Sequence, residues 1–192
     1  MFKLFQKNNF LDELWKNFQI LFNLNSQKNA SIEILSKSGI LISTHNNNEF
    51  TNNIKINVQK ILNEGDASTE TIVDLVEDSS DMHWLTLEDN NIFDLLSSCY
   101  TAINALNSNG SLPNILALVI KLEYINFDSQ KSIVNLIYRT DMKTFYPFIP
   151  LSKNPKSRDS DLENSFAKFL RKNNVKIESS TKSWLGVWGI PF

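Results

Sequence analysis

Residues 144–150 read Thr-Phe-Tyr-Pro-Phe-Ile-Pro, three aromatics and two prolines in seven positions. Proline has no backbone N–H to give to a ladder, so Pro147 and Pro150 keep this stretch out of a central strand. Each also holds the residue before it, Tyr146 or Ile149, near extended geometry. An apolar run, Ile133 to Tyr138, precedes the stretch, and a polar loop, Ser152 to Asp159, follows it. The expectation is a stiff, extended exit from a sheet. Phe145, Tyr146 and Phe148 then either cover an edge of the core or form a docking surface.

The rest of the chain alternates helical and strand periods. Asn9 caps a first helix whose stripe is Leu11, Leu14, Trp15, Phe18 and Leu21 or Phe22. Ser31 to Ser43 reads as one or two short strands around Gly39. A helix carries Phe50, Ile54, Val58, Ile61 and Leu62, is capped near Asn48 and ends at Gly65. Strands follow at Thr71–Glu77 and Met82–Leu87. Asn90 or Asn91 caps the next helix, with Ile92, Leu95, Leu96, Cys99, Ile103 and Leu106 inward. Ile115 to Tyr124 is the most apolar strand, with Leu116, Leu118, Ile120, Leu122 and Tyr124 on one buried face. It turns back into Ser132–Tyr138 as a long hairpin. Ser160 and Glu163 have capping-box spacing and open a last helix, with Leu162, Phe166, Phe169 and Leu170 inward. Val175 to Ile177 forms a short strand.

Helices interleaved with hairpins predict an α+β fold, mainly an antiparallel sheet with helices packed on it. In element order this is similar to the type III secretion chaperone and YbjN-like folds. A chain of 192 residues without a long linker fits a single domain over 1–192. Within it, residues 1–24 form an N-terminal amphipathic helix region and residues 178–192 an aromatic tail. Trp184, Trp188 and Phe192 are too apolar to leave in water, at about 1.5–3 kcal/mol for each comparably large side chain. Gly186 and Gly189 disfavour a helix there, so the tail is expected to lie extended across the body near Phe145–Phe148.

One cysteine, Cys99, excludes an internal disulfide. No apolar run approaches the ~20 residues of a membrane helix. A cytoplasmic protein is expected, with a membrane-peripheral placement as the alternative. The net charge of −2 hides a split: residues 1–120 carry 7 Lys or Arg against 14 Asp or Glu, residues 121–192 carry 12 against 7. A basic C-terminal side could meet anionic lipid, with Lys153 and Lys156 beside it and Phe2, Leu4 and Phe5 as an apolar foot. The acidic balance and scattered cations argue against nucleic acid.

Catalytic motifs are missing. Five glycines supply neither a phosphate loop nor a dinucleotide fingerprint. His45 and His83 belong to no metal-ligand pattern, so no metal or cofactor is expected. His83, with Asp81 two residues away on the same face, reads as a structural histidine. Cys99 lies on an apolar helix face and reads as an inert thiol. Arg158-Asp159 before the last helix reads as a surface ion pair plus N-cap.

The segment Thr144–Pro150, then Arg158-Asp159 with Leu162-Glu163, then Trp184-Leu185-Gly186-Val187-Trp188-Gly189-Ile190-Pro191, resembles the PspA-associated protein B family (PspAB). The resemblance continues upstream through His83-Trp84-Leu85 and covers roughly the whole chain. It implies an archaeal or bacterial protein associated with PspA, the phage shock effector of envelope stress. It also implies a gene neighbourhood shared with a membrane zinc protease of the HtpX type. No enzymatic chemistry comes with it. Three readings follow. The first is a non-catalytic adaptor that binds a PspA-like protein or the HtpX-type protease through Phe145, Tyr146, Phe148, Arg158, Asp159, Trp184 and Trp188. The second is a peripheral protein on anionic lipid, using Phe2, Leu4, Phe5, Lys153 and Lys156. The third is an enzyme in which Arg158, Asp159, His83 and Tyr146 converge.

Overall fold

The computed structural model describes residues 9–45, 48–64, 69–79, 81–126, 128–151 and 157–192. It is an α+β structure: helices α1 (Asn9–Asn25), α2 (Glu49–Asn52), α3 (Ile54–Leu62), α4 (Ile92–Ser108) and α5 (Ser160–Lys172), with strands β1 (Ile32–Ser43), β2 (Ile72–Ser79), β3 (Met82–Glu88), β4 (Ile115–Ile125), β5 (Lys131–Arg139) and β6 (Thr144–Phe148). The strands form one open sheet in the order β2-β3-β1-β4-β5-β6. Every neighbouring pair is antiparallel.

Cross-strand partners share a face, so the register sorts the core into two sides. Ile40 stands opposite Leu85 and Leu118, Leu122 opposite Val134, and Tyr138 opposite Phe145. This is the helix side. Phe18 of α1 meets Phe145 there, and Phe166 and Phe169 of α5 meet Tyr124. The opposite side carries Trp84, Gly39, Val119, Ile137, Tyr146 and Phe148. Among the described residues no helix covers it; residues 184–192 do. Trp184 stacks on Tyr146, Trp188 meets Phe148 edge-on, and Phe192 meets Trp84 edge-on.

That second covered face explains where single-face alternation fails in β4. Ile115, Ala117 and Val119 are buried alongside Leu118 and Ile120, while Leu116, expected inside, is 39% exposed at the sheet end. β1 runs unbroken through Gly39, with a register shift between Ile34 and Ser38. Gly39 is needed because a Cβ there would lie 2.5 Å from the Phe192 ring. The helix expected over residues 50–62 is two helices, parted at Asn53 (φ −121°, ψ 31°). Asn48 caps the first by accepting from Thr51 N–H. Gly65 lies outside the described residues.

β6 is the last strand of the sheet. Its outer edge is met by residues 176–178: Phe145 N–H donates to Lys176 O (2.9 Å) and Glu178 N–H to Phe145 O (2.8 Å). Pro147, two residues on, points its nitrogen to that same outer edge, where the sheet needs no donor.

Candidate functional site

Arg158 and Glu163 meet where β6, α5 and the tail converge. Asp159 caps α5 by accepting from Leu162 N–H (3.0 Å). This is the N-cap expected at Arg158-Asp159; Ser160, the start of the capping-box reading, sits one residue later, and Glu163 turns inward to be 1% exposed. The surface ion pair expected between Arg158 and Asp159 is replaced by a half-buried one. Arg158 Nε donates to both Glu163 oxygens (2.9 and 2.8 Å), Nη1 to Trp184 O (2.7 Å) and Nη2 to Pro147 O (3.2 Å). Ile149 N–H donates to Glu163 Oε1 (2.7 Å), and the guanidinium lies 5.0 Å over the Phe148 ring. With all three guanidinium nitrogens engaged, this site is a tie between segments.

The other residues assigned to a partner surface also lie inward. Phe145, Tyr146 and Phe148 are fully buried and Trp184 nearly so; only Trp188, at 39%, meets solvent substantially. Phe145 faces the helices, whereas Tyr146 and Phe148 face the tail. Burial pushes the Tyr146 hydroxyl up to about 12. Phe2, Leu4, Phe5, Lys153 and Lys156, assigned to a lipid surface, lie outside the described residues.

The residues of the enzyme reading do not converge. His83 on β3 faces α2 and α3 beside Thr51 and Ile54. Tyr146 lies on the opposite side of the sheet, on β6. Four strand spacings, about 19 Å, separate β3 from β6. Asp81 pairs with exposed His45 (4.0 Å) rather than with His83. Burial pushes the Cys99 thiol up to about 12, far from a nucleophile's range. Among the described residues, no three His, Cys, Asp or Glu side chains gather as a metal site.

The aromatic surface that does face solvent lies on the helices. α1 and α4 enclose a groove of about 430 Å³ lined by Trp15, Phe18, Gln19, Phe22, Phe93 and Leu96. Phe93 is 45% exposed and stands between Trp15 (6.0 Å) and Phe22 (5.5 Å); Tyr100 closes on Trp15 at 5.3 Å. A polar chain sets where α4 begins. Thr71 Oγ1 donates to Asp89 Oδ2 (2.7 Å), and its oxygen lies 2.7 Å from Ser98 Oγ. Asp89 Oδ1 accepts from Asn91 N–H (2.8 Å), and Asn91 caps the helix by accepting from Phe93 N–H (3.0 Å). At this corner burial, with the charges of Asp89 and Glu70, holds the Asp94 carboxyl above its ordinary value. α1 is fixed from the other side: Lys176 N–H donates to Asn17 Oδ1 and its ammonium pairs with Glu13. Phe93 was the residue sequence reasoning missed. Its signal was a large apolar side chain out of phase with the inward stripe of α4.

A family model described as PspA associated protein B matches residues 6–192, nearly the whole chain. No curated protein and no solved structure matches it.

Proposed function

The chain belongs to the PspA associated protein B family, and we propose that it is a non-catalytic adaptor whose α1–α4 groove receives an amphipathic helix of a PspA-type partner. Phe93, 45% exposed between the partly buried Trp15 and Phe22 of the neighbouring helix, carries this reading. Such a groove accepts a third helix through apolar anchors at i, i+3, i+4 and i+7. Trp15 and Phe22, a helical stripe apart, line one wall, and Phe93 stands between them on the other. The carboxylates of Glu70, Asp89 and Asp94 crowd the α4 end. They favour a partner helix with Lys or Arg beside its anchors. The aromatics of β6 and the tail support the adaptor from within, by holding the sheet on which both helices rest.

Affinity purification of the full chain against purified PspA from the same host tests this. Phe93→Ala removes a solvent-facing anchor; a central aromatic of this kind is worth about 2 kcal/mol or more, so binding falls by more than about 30-fold. The urea midpoint of that variant stays at the wild-type value, and Trp188→Ala, on the far side of the sheet, binds as wild type. Unchanged binding of Phe93→Ala removes the groove from the reading. Recovery of an HtpX-type protease or of anionic vesicles in place of PspA moves the adaptor to a different partner.

A further inference from the structure

The sheet face opposite the helices already shows what it binds. Residues 184–192 cross it as an extended segment with a ring at every fourth position, and each ring has its own seat. Trp184 lies on Tyr146 (6.3 Å, 15° between planes), Trp188 against Phe148 (4.9 Å, 89°) and Phe192 against Trp84 (5.9 Å, 83°). The Phe192 seat is cut to shape by the missing side chain of Gly39. Two cations pin the segment's backbone: Arg158 Nη1 donates to Trp184 O and Lys121 Nζ to Phe192 O.

The manner of attachment changes sharply along the tail. Residues 176–178 are ladder-bonded to β6 through Phe145. Beyond Trp184, among the described residues, no backbone-to-backbone hydrogen bond joins the segment to the sheet. It is held by rings, by side-chain donors and by a Leu185 backbone hydrogen bond to the Tyr146 hydroxyl. Every such contact can be made equally by the same segment arriving from another molecule. The Thr181–Ser183 turn lies between the anchored part and the side-chain-held part, and Gly189 (φ +77°) bends the segment within its path. Leu185 and Trp188 remain in contact with water, so the segment's outer side is not enclosed.

We propose that this face is a binding site for an extended peptide with aromatic residues at four-residue spacing, and that residues 184–192 of a second copy of this chain occupy it by reciprocal exchange. The exchanged dimer keeps every ring seat and both cationic pins of the single chain, with Arg158 and Lys121 of one copy holding the strap of the other. Exchange between identical segments is a low-cost route to a two-fold dimer, because no new surface has to be complementary. It leaves the α1–α4 groove, on the other side of the sheet, untouched.

The test uses the full chain with Trp188→benzoylphenylalanine, a photoreactive ring of similar shape at a half-exposed position. One batch carries normal nitrogen and a second carries nitrogen-15. The batches are mixed, equilibrated across a range of concentrations, irradiated and digested. Exchange predicts mixed-isotope cross-links between position 188 and the peptide bearing Phe148. Their yield rises with concentration as the same-isotope yield falls, and the molar mass from light scattering of unsubstituted protein moves towards a dimer over the same range. Same-isotope products alone at every concentration would make residues 184–192 a fixed part of their own core and overturn the proposal. Mixed-isotope products that bypass the Phe148 peptide would overturn it too, by locating the dimer contact elsewhere.

Discussion

Arg158 and Glu163 tie three parts of the chain at one point, and the cost of breaking the tie is set by which partner remains. Removing Arg158 strips a buried carboxylate of its cation while the Ile149 N–H still donates to it, which costs about 3–5 kcal/mol. Arg158→Ala should lower the urea midpoint accordingly. Glu163 behaves differently with pH. Burial, the largest influence, raises its carboxyl above the ordinary 4.5 against the pull of Ile149 and Arg158. The folded chain therefore keeps this proton where the unfolded chain has lost it. The resulting stabilisation is complete below the unfolded value and is lost as pH rises through the raised folded value. Glu163→Gln does not titrate. The unfolding free energy of wild type relative to Glu163→Gln should fall between pH 4 and neutrality, and a rise would show that the Arg158 pair outweighs burial. Gly39→Ala is predicted to cost about 1–3 kcal/mol, since the added methyl must push the Phe192 ring aside. Indole fluorescence from Trp84 should report the shift. At this scale the sequence is ambiguous for a physical reason. Glu163 stands three residues after Ser160 whether it caps the helix or turns inward, and spacing cannot tell a solvated carboxylate from a buried one.

Elements were far more legible than side-chain roles, because they are set by periods that local residues carry. The 3.6-residue stripes of α1, α4 and α5 and the hairpin β4–β5 stand where apolar spacing puts them. The break at Asn53 was hidden, because Phe50, Ile54 and Val58 keep helical spacing through it. The groove was hidden for a related reason: Trp15 and Phe22 belong to the same apolar stripe as Leu14 and Phe18, and only the packing of α4 decides which rings stay in water. The start of α4 hangs on Thr71, which joins Asp89 to Ser98. Thr71→Val keeps the shape but leaves Asp89 Oδ2 without this donor, at about 1–3 kcal/mol. Amide exchange should accelerate in the first turn of α4 before it does in β4. Retention of wild-type protection at Phe93 and Asp94 would mean that Asn91 alone holds the turn.

Across the whole molecule, both margins of the sheet are closed by different means. Beside β6 the closure is backbone from residues 176–178. Beside β2 it is side chains: Asp74 accepts from Leu75 N–H (2.9 Å), and Gln59 accepts from Val73 N–H (2.9 Å) and donates to Thr71 O (3.0 Å). Gln59→Ala reopens those two groups, and unpaired edges recruit other strands. Light scattering should show this variant associating beyond a dimer, into species that the wild type does not form. The order of strands also turns the charge split of the sequence into a spatial one. Acidic β2 and β3 lie at one end of the sheet, and β5, β6 and α5, with Arg139, Lys143, Lys168, Arg171 and Lys172, at the other. Capture of a basic helix near Glu70 and Asp94 should therefore slow as salt is raised, which stopped-flow binding would measure. The strap adds a matter of timing. All six strands are synthesised before Trp184, so on the ribosome the sheet can form while its second face has no cover. Until residues 184–192 emerge, Tyr146, Phe148 and Trp84 form an open apolar wall, and neighbouring nascent chains on one messenger are the molecules best placed to share it.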